Sequence, residues 1–84
     1  VVIDRILRDE RGYLWIIDYK TSQHEGGGIE AFFLNESERY TAQLLRYRQL
    51  VTQYYETNER APGPIKLALY FPRYGHLQAI GATP

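Results

Sequence analysis

The sequence predicts an α/β fold: a mixed sheet of about four strands with one long helix on one face. Three observations predict it. Residues 1–20 hold two β-branched, apolar runs joined by a polar turn that ends in glycine. Residues 35–58 carry apolar side chains at helical spacing behind an N-capping signal. Residues 65–80 return to two short apolar runs around Pro72-Arg73-Tyr74-Gly75.

The first run, VVIDRILR at 1–8, reads as a strand with Asp4 and Arg5 set inside it. Asp9-Glu10-Arg11-Gly12 is a turn, and YLWIIDYK at 13–20 is the second strand. A three-residue loop, Glu10 to Gly12 with Gly12 left-handed, makes a common hairpin connection. That loop pairs residues whose numbers sum to 22. Asp4 then faces Asp18 with Cβ atoms about 5 Å apart. A slip of one residue sends Asp4 to the other face. Side chains in a strand repeat with period two, so Asp18 and Lys20 share a face while Tyr19 points away.

An acid and a lysine at the end of an apolar strand are costly to desolvate and need each other, a metal or a substrate. Two acids facing each other across strands repel, and a bare fold gains nothing from the pair. A divalent cation between them turns repulsion into attraction. The plainer alternative leaves one acid in solvent at a strand end.

Residues 21–35, TSQHEGGGIEAFFLN, read as a loop made pliable by Gly26-Gly27-Gly28. No GK[ST] follows the glycines, so they do not form a recognised phosphate loop. A surface loop is the simpler reading, although its place after Lys20 suits a lid over substrate. His24 is a weak candidate for a ligand or phosphate contact. Ile29, Phe32, Phe33 and Leu34 are expected to pin the second half of the loop to the core.

Asn35 is the expected N-cap, with Glu38 completing a capping box, and the helix is expected to end near Asn58. Its inward stripe is Tyr40, Leu44, Tyr47, Val51 and Tyr54. Gln43 lies four residues before Tyr47, on the same side. A glutamine beside that stripe needs a partner, because an unpaired buried amide costs about 1–3 kcal/mol. Arg39, Arg46, Arg48 and Gln49 form the solvated side, within reach of a DNA backbone. Ala61-Pro62-Gly63-Pro64 breaks the helix, IKLALYF at 65–71 is the third strand, His76–Ile80 the fourth, and 81–84 a tail. Both faces of the first hairpin are apolar: Ile6, Leu14 and Ile16 on one, Ile3, Leu7, Trp15 and Ile17 on the other. One helix covers one face, so the second expects a cover from outside this stretch.

At 84 residues without repeats the chain is at most one domain, and it reads as a piece of a larger protein. Ten Lys and Arg balance ten Asp and Glu, so bulk charge makes no case for nucleic-acid affinity. No apolar run approaches the roughly 20 residues that cross a bilayer. The absence of cysteine excludes disulfides and thiolate metal sites here and fits a reducing, cytoplasmic compartment. Eight tyrosines suit strands and half-wet surfaces.

Four blocks in order, Asp4-Arg5 in an apolar strand, Ile16-Ile17-Asp18-Tyr19-Lys20-Thr21, Gln43-Leu44-Leu45-Arg46-Tyr47 on a helix, and Leu69-Tyr70-Phe71-Pro72, resemble the PD-(D/E)xK nuclease superfamily. More closely, they look like the C-terminal nuclease domain of RecB/AddA-type helicase–nucleases. The resemblance implies a restriction-endonuclease-like core whose N-terminal helix and strand are missing from this stretch. It implies a DNase that cuts phosphodiester bonds with Mg²⁺, Mn²⁺ being a possible substitute, during DNA end processing and recombinational repair. Its partners are then DNA, the helicase part of the same polypeptide and other subunits of a helicase–nuclease complex. By the same resemblance Asp4 and Asp18 are metal ligands, and Tyr19 offers a backbone carbonyl to the metal. Lys20 is the catalytic lysine, and Gln43 and Tyr47 support the site and contact DNA. Lys20 can stabilise developing charge or help deprotonate water, and the sequence leaves both roles open, as it does one metal or two. The resemblance also implies a histidine or acid from an upstream helix in the metal site; without it these 84 residues alone are expected to bind metal weakly and cut poorly. Two competing readings are an inactive nuclease-like DNA-binding or scaffolding domain and an unrelated α/β domain with a chance DxK. The latter requires Asp4 and Asp18 to lie far apart.

Overall fold

The computed structural model of the chain describes residues 2–24 and 26–81. Val1 of the expected first strand, Glu25 of the expected loop and residues 82–84 of the expected tail lie outside the described residues. The elements are β1 (Arg5–Arg8), β2 (Leu14–Tyr19), α1 (Ile29–Thr57), β3 (Ile65–Phe71), a 3-10 turn (Pro72–Tyr74) and β4 (His76–Ala79). The sheet order is β1-β2-β3-β4. β1–β2 and β3–β4 are antiparallel, while β2 and β3 are parallel. The tight turns join antiparallel neighbours. The parallel pair needs a long return path, which α1 supplies. The result is the expected mixed α/β layer structure, consistent with a restriction-endonuclease-like core.

The first hairpin forms as its turn chemistry requires. Gly12 has φ +90, its N–H bonds to Asp9 O at 3.1 Å, and Asp9 N bonds to Tyr13 O at 2.9 Å. The Asp9 carboxylate adds further ties. Its Oδ1 accepts from Arg11 N and Tyr13 N, and its Oδ2 accepts from Trp15 Nε1 at 2.8 Å. The pairing is Arg5↔Ile17 through Arg8↔Leu14, so the register sums to 22 as the loop length dictates. β1 is shorter than the expected 1–8 and begins at Arg5, with Asp4 in a bend just before it.

The helix departs from its expected start. α1 begins at Ile29, inside the expected loop, with Gly28 in extended conformation as N-cap and no side-chain cap. Asn35 and Glu38 are exposed within the helix, so the capping box does not form. Burial explains the difference. Phe33 is buried and Phe32 packs against the core, so two helical turns before Asn35 are held by apolar contact rather than by a cap. Ile29 and Leu34, expected to pin this segment, are exposed instead. The far end lies where expected, with Asn58 as C-cap.

The core lies between α1 and one sheet face. β2 contributes Leu14 and Ile16, β3 Leu67, Leu69 and Phe71, and α1 Phe33, Leu44, Tyr47 and Val51. Tyr54 was the expected end of the inward stripe but is 68% exposed, and Tyr55 packs on the core in its place. Tyr54 and Tyr55 lie on either side of the stripe at the end of α1, and the helix meets the sheet on the Tyr55 side. Arg8 fastens the Tyr55 end: it donates to Gly12 O, Pro62 O and Tyr55 Oη. Ile6, expected inside, is 46% exposed because β1 is an edge strand. On the opposite sheet face Ile17 and Ala68 are buried among strand neighbours, while Tyr19 and Leu77 are exposed.

Candidate active site

Where β2 leaves the sheet, the strand pattern puts Asp18 and Lys20 on the α1 side. Asp18 is 6% exposed. Tyr19 N donates to Asp4 Oδ2 at 2.9 Å, which ties the bend before β1 to the end of β2. Asp4 thus sits against the end of β2, and its carboxylate acts on that of Asp18, so the two acids are not far apart as the chance-DxK reading required. The N–H and C=O of one strand residue leave on the same side, so the Tyr19 carbonyl faces the Asp4 side.

Lys20 Nζ lies 2.7 Å from Asp18 Oδ2. Among the described residues Oδ2 has this ion pair and no further hydrogen-bond partner. Such an oxygen is costly to bury. Burial pushes the Asp18 carboxyl above its ordinary range; Lys20 opposes that shift, and the nearby Asp4 carboxylate adds to it. A desolvated acid with a free lone pair, a second acid beside it and a strand carbonyl at hand match the oxygen donors that hard divalent cations take. The residues present thus fit a metal. They form only a partial shell: among the described residues no three His, Cys, Asp or Glu cluster as a metal site.

Lys20 is held from a second direction. Its Nζ lies 3.5 Å from the centre of the Tyr40 ring, a contact that the sequence reading placed on the core stripe but did not connect with Lys20. The only available signal was Tyr40's place three residues before Gln43. Gln43 Nε2 donates to Tyr47 Oη at 2.5 Å, so the half-buried amide has the partner it needed. Arg39, Arg46 and Gln49 are exposed as expected, whereas Arg48 is half-buried beside Ile65, Leu67 and Ile80.

His24 has local work. Its backbone N donates to Tyr74 Oη, its Nε2 contacts Gly27 O at 2.8 Å, and its ring meets Phe32 edge-on. Those contacts fix the glycine segment against the start of α1. Gly26 and Gly27 both have positive φ, which the side-chain-free residues adopt without strain.

The sequence model of the family described as the PD-(D/E)XK nuclease superfamily matches residues 1–80. No curated protein and no solved structure matches the chain.

Proposed function

The chain belongs to the PD-(D/E)XK nuclease superfamily, and from that premise we propose that it is the metal-dependent DNase module of a DNA helicase–nuclease. The family makes it a nuclease-type phosphodiesterase that uses divalent metal ions. The order of the four sequence blocks supports the finer reading, a cytoplasmic enzyme that processes DNA ends for recombinational repair. Among the described residues no helix is long and apolar enough to cross a membrane. The observation that carries the proposal is the buried Asp18 carboxylate, near Asp4 and with its Oδ2 held by Lys20 Nζ at 2.7 Å and by no other hydrogen bond.

In this reading Asp4, Asp18 and the Tyr19 carbonyl hold Mg²⁺, with Mn²⁺ as a substitute. The ion, when bound, supplies Lewis acidity to the phosphate and lowers the pKa of a bound water. Lys20 contributes the positive charge that the protein itself brings. Both of its neighbours, a carboxylate and a ring face, attract a cation. Lys20 is thereby placed to stabilise charge developing on the phosphate. Gln43 and Tyr47 hold each other on the α1 face that looks toward the sheet and steady the helix behind the site.

The test is cleavage of linear DNA with Mg²⁺ by the longer polypeptide and its Asp18→Ala and Lys20→Ala variants. Removing one group that stabilises transition-state charge costs about 10²–10³ in kcat, and Lys20→Ala is expected to fall in that range. Unchanged cleavage by both variants refutes catalysis at this site and leaves a nuclease-like DNA-binding or scaffolding domain.

A further inference from the structure

We infer that Tyr40 is a positioning residue for Lys20: its ring face is the anchor that keeps the ammonium at the site once a cation takes Asp18. The inference rests on the nuclease reading above and goes beyond it.

The geometry sets a competition. Asp18 Oδ2 is paired with Lys20 Nζ at 2.7 Å and has no further partner among the described residues, so a metal that takes this oxygen competes with the ammonium for it. A divalent cation at Asp18 weakens the hold of that carboxylate on Lys20 and repels the ammonium. A lysine held by nothing else has a flexible four-carbon stem and swings to water. Here it has a second hold, the Tyr40 ring with its centre 3.5 Å from Nζ. A ring face attracts a cation through its quadrupole and does not compete for metal, since it offers no lone pair to Mg²⁺.

Tyr40 is itself well supported. It packs against the core beside buried Leu44. The guanidinium of Arg39 lies 5.4 Å from the same ring, and Arg39 is paired with the buried Glu36 at 3.8 Å. The ring is therefore part of the helix wall and not a loose surface side chain. α1 thereby sets the direction from which Lys20 reaches the site, although Lys20 belongs to the strand.

Two measurements test this. The first is nuclear magnetic resonance of the chain. With Nζ 3.5 Å from the centre of the ring, the Tyr40 ring current shields the adjoining ε-methylene protons of Lys20 in the presence and absence of Mg²⁺. Lys66, the other lysine, lies over the Tyr13 and Trp15 rings and is shielded too, so the comparison is between the parent and each variant. Tyr40→Leu moves the Lys20 signal downfield, Tyr40→Phe keeps it, and neither moves Lys66. The second is DNA cleavage by the longer polypeptide. Loss of a desolvated cation–π contact corresponds to about a tenfold fall in kcat for Tyr40→Leu, with KM little changed and Tyr40→Phe within about twofold of the parent.

A Lys20 signal insensitive to Tyr40→Leu overturns the inference, as does kcat lost equally in the Phe and Leu variants. Failure of the nuclease reading looks different: Lys20→Ala and Asp18→Ala then cleave normally, whatever the resonance shows. A thermal melt separates misfolding from loss of position, because a Leu variant that folds but loses both the shift and kcat supports the inference.

Discussion

Replacing Asp18 by Asn separates the metal reading from a purely structural one. Asp18 is buried, its Oδ2 has no hydrogen bond, and burial raises its carboxyl above the ordinary 3.8. The folded protein therefore holds that proton more tightly than the unfolded chain. The stability linked to this group is full below pH 3.8 and is lost as pH rises through the folded pKa. Asp18→Asn removes both this desolvated charge and the 2.7 Å partner of Lys20, so each protein's own melt without metal is the reference for the metal effect. An incomplete shell suggests affinity at the weak end of hard-cation sites, about 1 mM. At about 10 mM Mg²⁺ the linkage is RT ln(1 + 10), about 1.4 kcal/mol. For a domain of this size that is a rise of about 6–11 °C in the parent. The assay is a thermal melt by circular dichroism at pH 7.5, with and without MgCl₂ at matched ionic strength. Asp18→Asn should show little of the rise. At pH values well below 3.8 the parent should also lose it, because protonated carboxylates do not ligate. An equal rise in parent and Asn variant at neutral pH refutes Asp18 as a ligand.

Three further outcomes follow from the fold. Gln43→Ala and Tyr47→Phe each break the bond from Gln43 Nε2 to Tyr47 Oη, and a double-mutant cycle of urea melts should give a coupling of about 1 kcal/mol; no coupling denies the pair a supporting role. The Asp9 carboxyl is held below its ordinary 3.8, chiefly by the Trp15 indole N–H, so its stabilising contribution is present above that range and lost as pH falls through the folded pKa. Trp15→Phe should move the Asp9 carboxyl resonance midpoint upward and start that loss at a higher pH, and an unmoved midpoint contradicts the assignment. Leu44 is fully buried under the sheet, so Leu44→Ala should cost about 2–5 kcal/mol by urea denaturation.

The legible parts of the chain are those governed by local chemistry. A polar loop closed by a left-handed glycine set the register of the first hairpin, and the bond from Tyr19 N to Asp4 completes the approach of Asp4 to the end of β2. Ala61-Pro62-Gly63-Pro64 separated α1 from β3, and β3 runs from Ile65 to Phe71 as read. The start of α1 was not legible. Asn35 and Glu38 form a good cap on paper, while the segment before them becomes helical because Phe32 and Phe33 find Phe71, Tyr74 and His76 across space. Nothing local to residues 29–34 announces those partners. Tyr54 failed for a related reason: its spacing was right, and the rotation of the stripe was decided by where the helix meets the sheet.

The sequence by itself determined which groups could do chemistry. Two acids, a lysine and an amide on a helix are covalent facts, and strand period and turn length are enough to bring the acids to the same end of the hairpin. Only the tertiary structure decided how those groups are held. Burial of Asp18, the missing hydrogen bond at its Oδ2 and the Tyr40 ring against Lys20 depend on α1 packing across β2. That packing joins residues about 20 apart in the chain, where desolvation and ring contact act through space and leave no mark in local spacing.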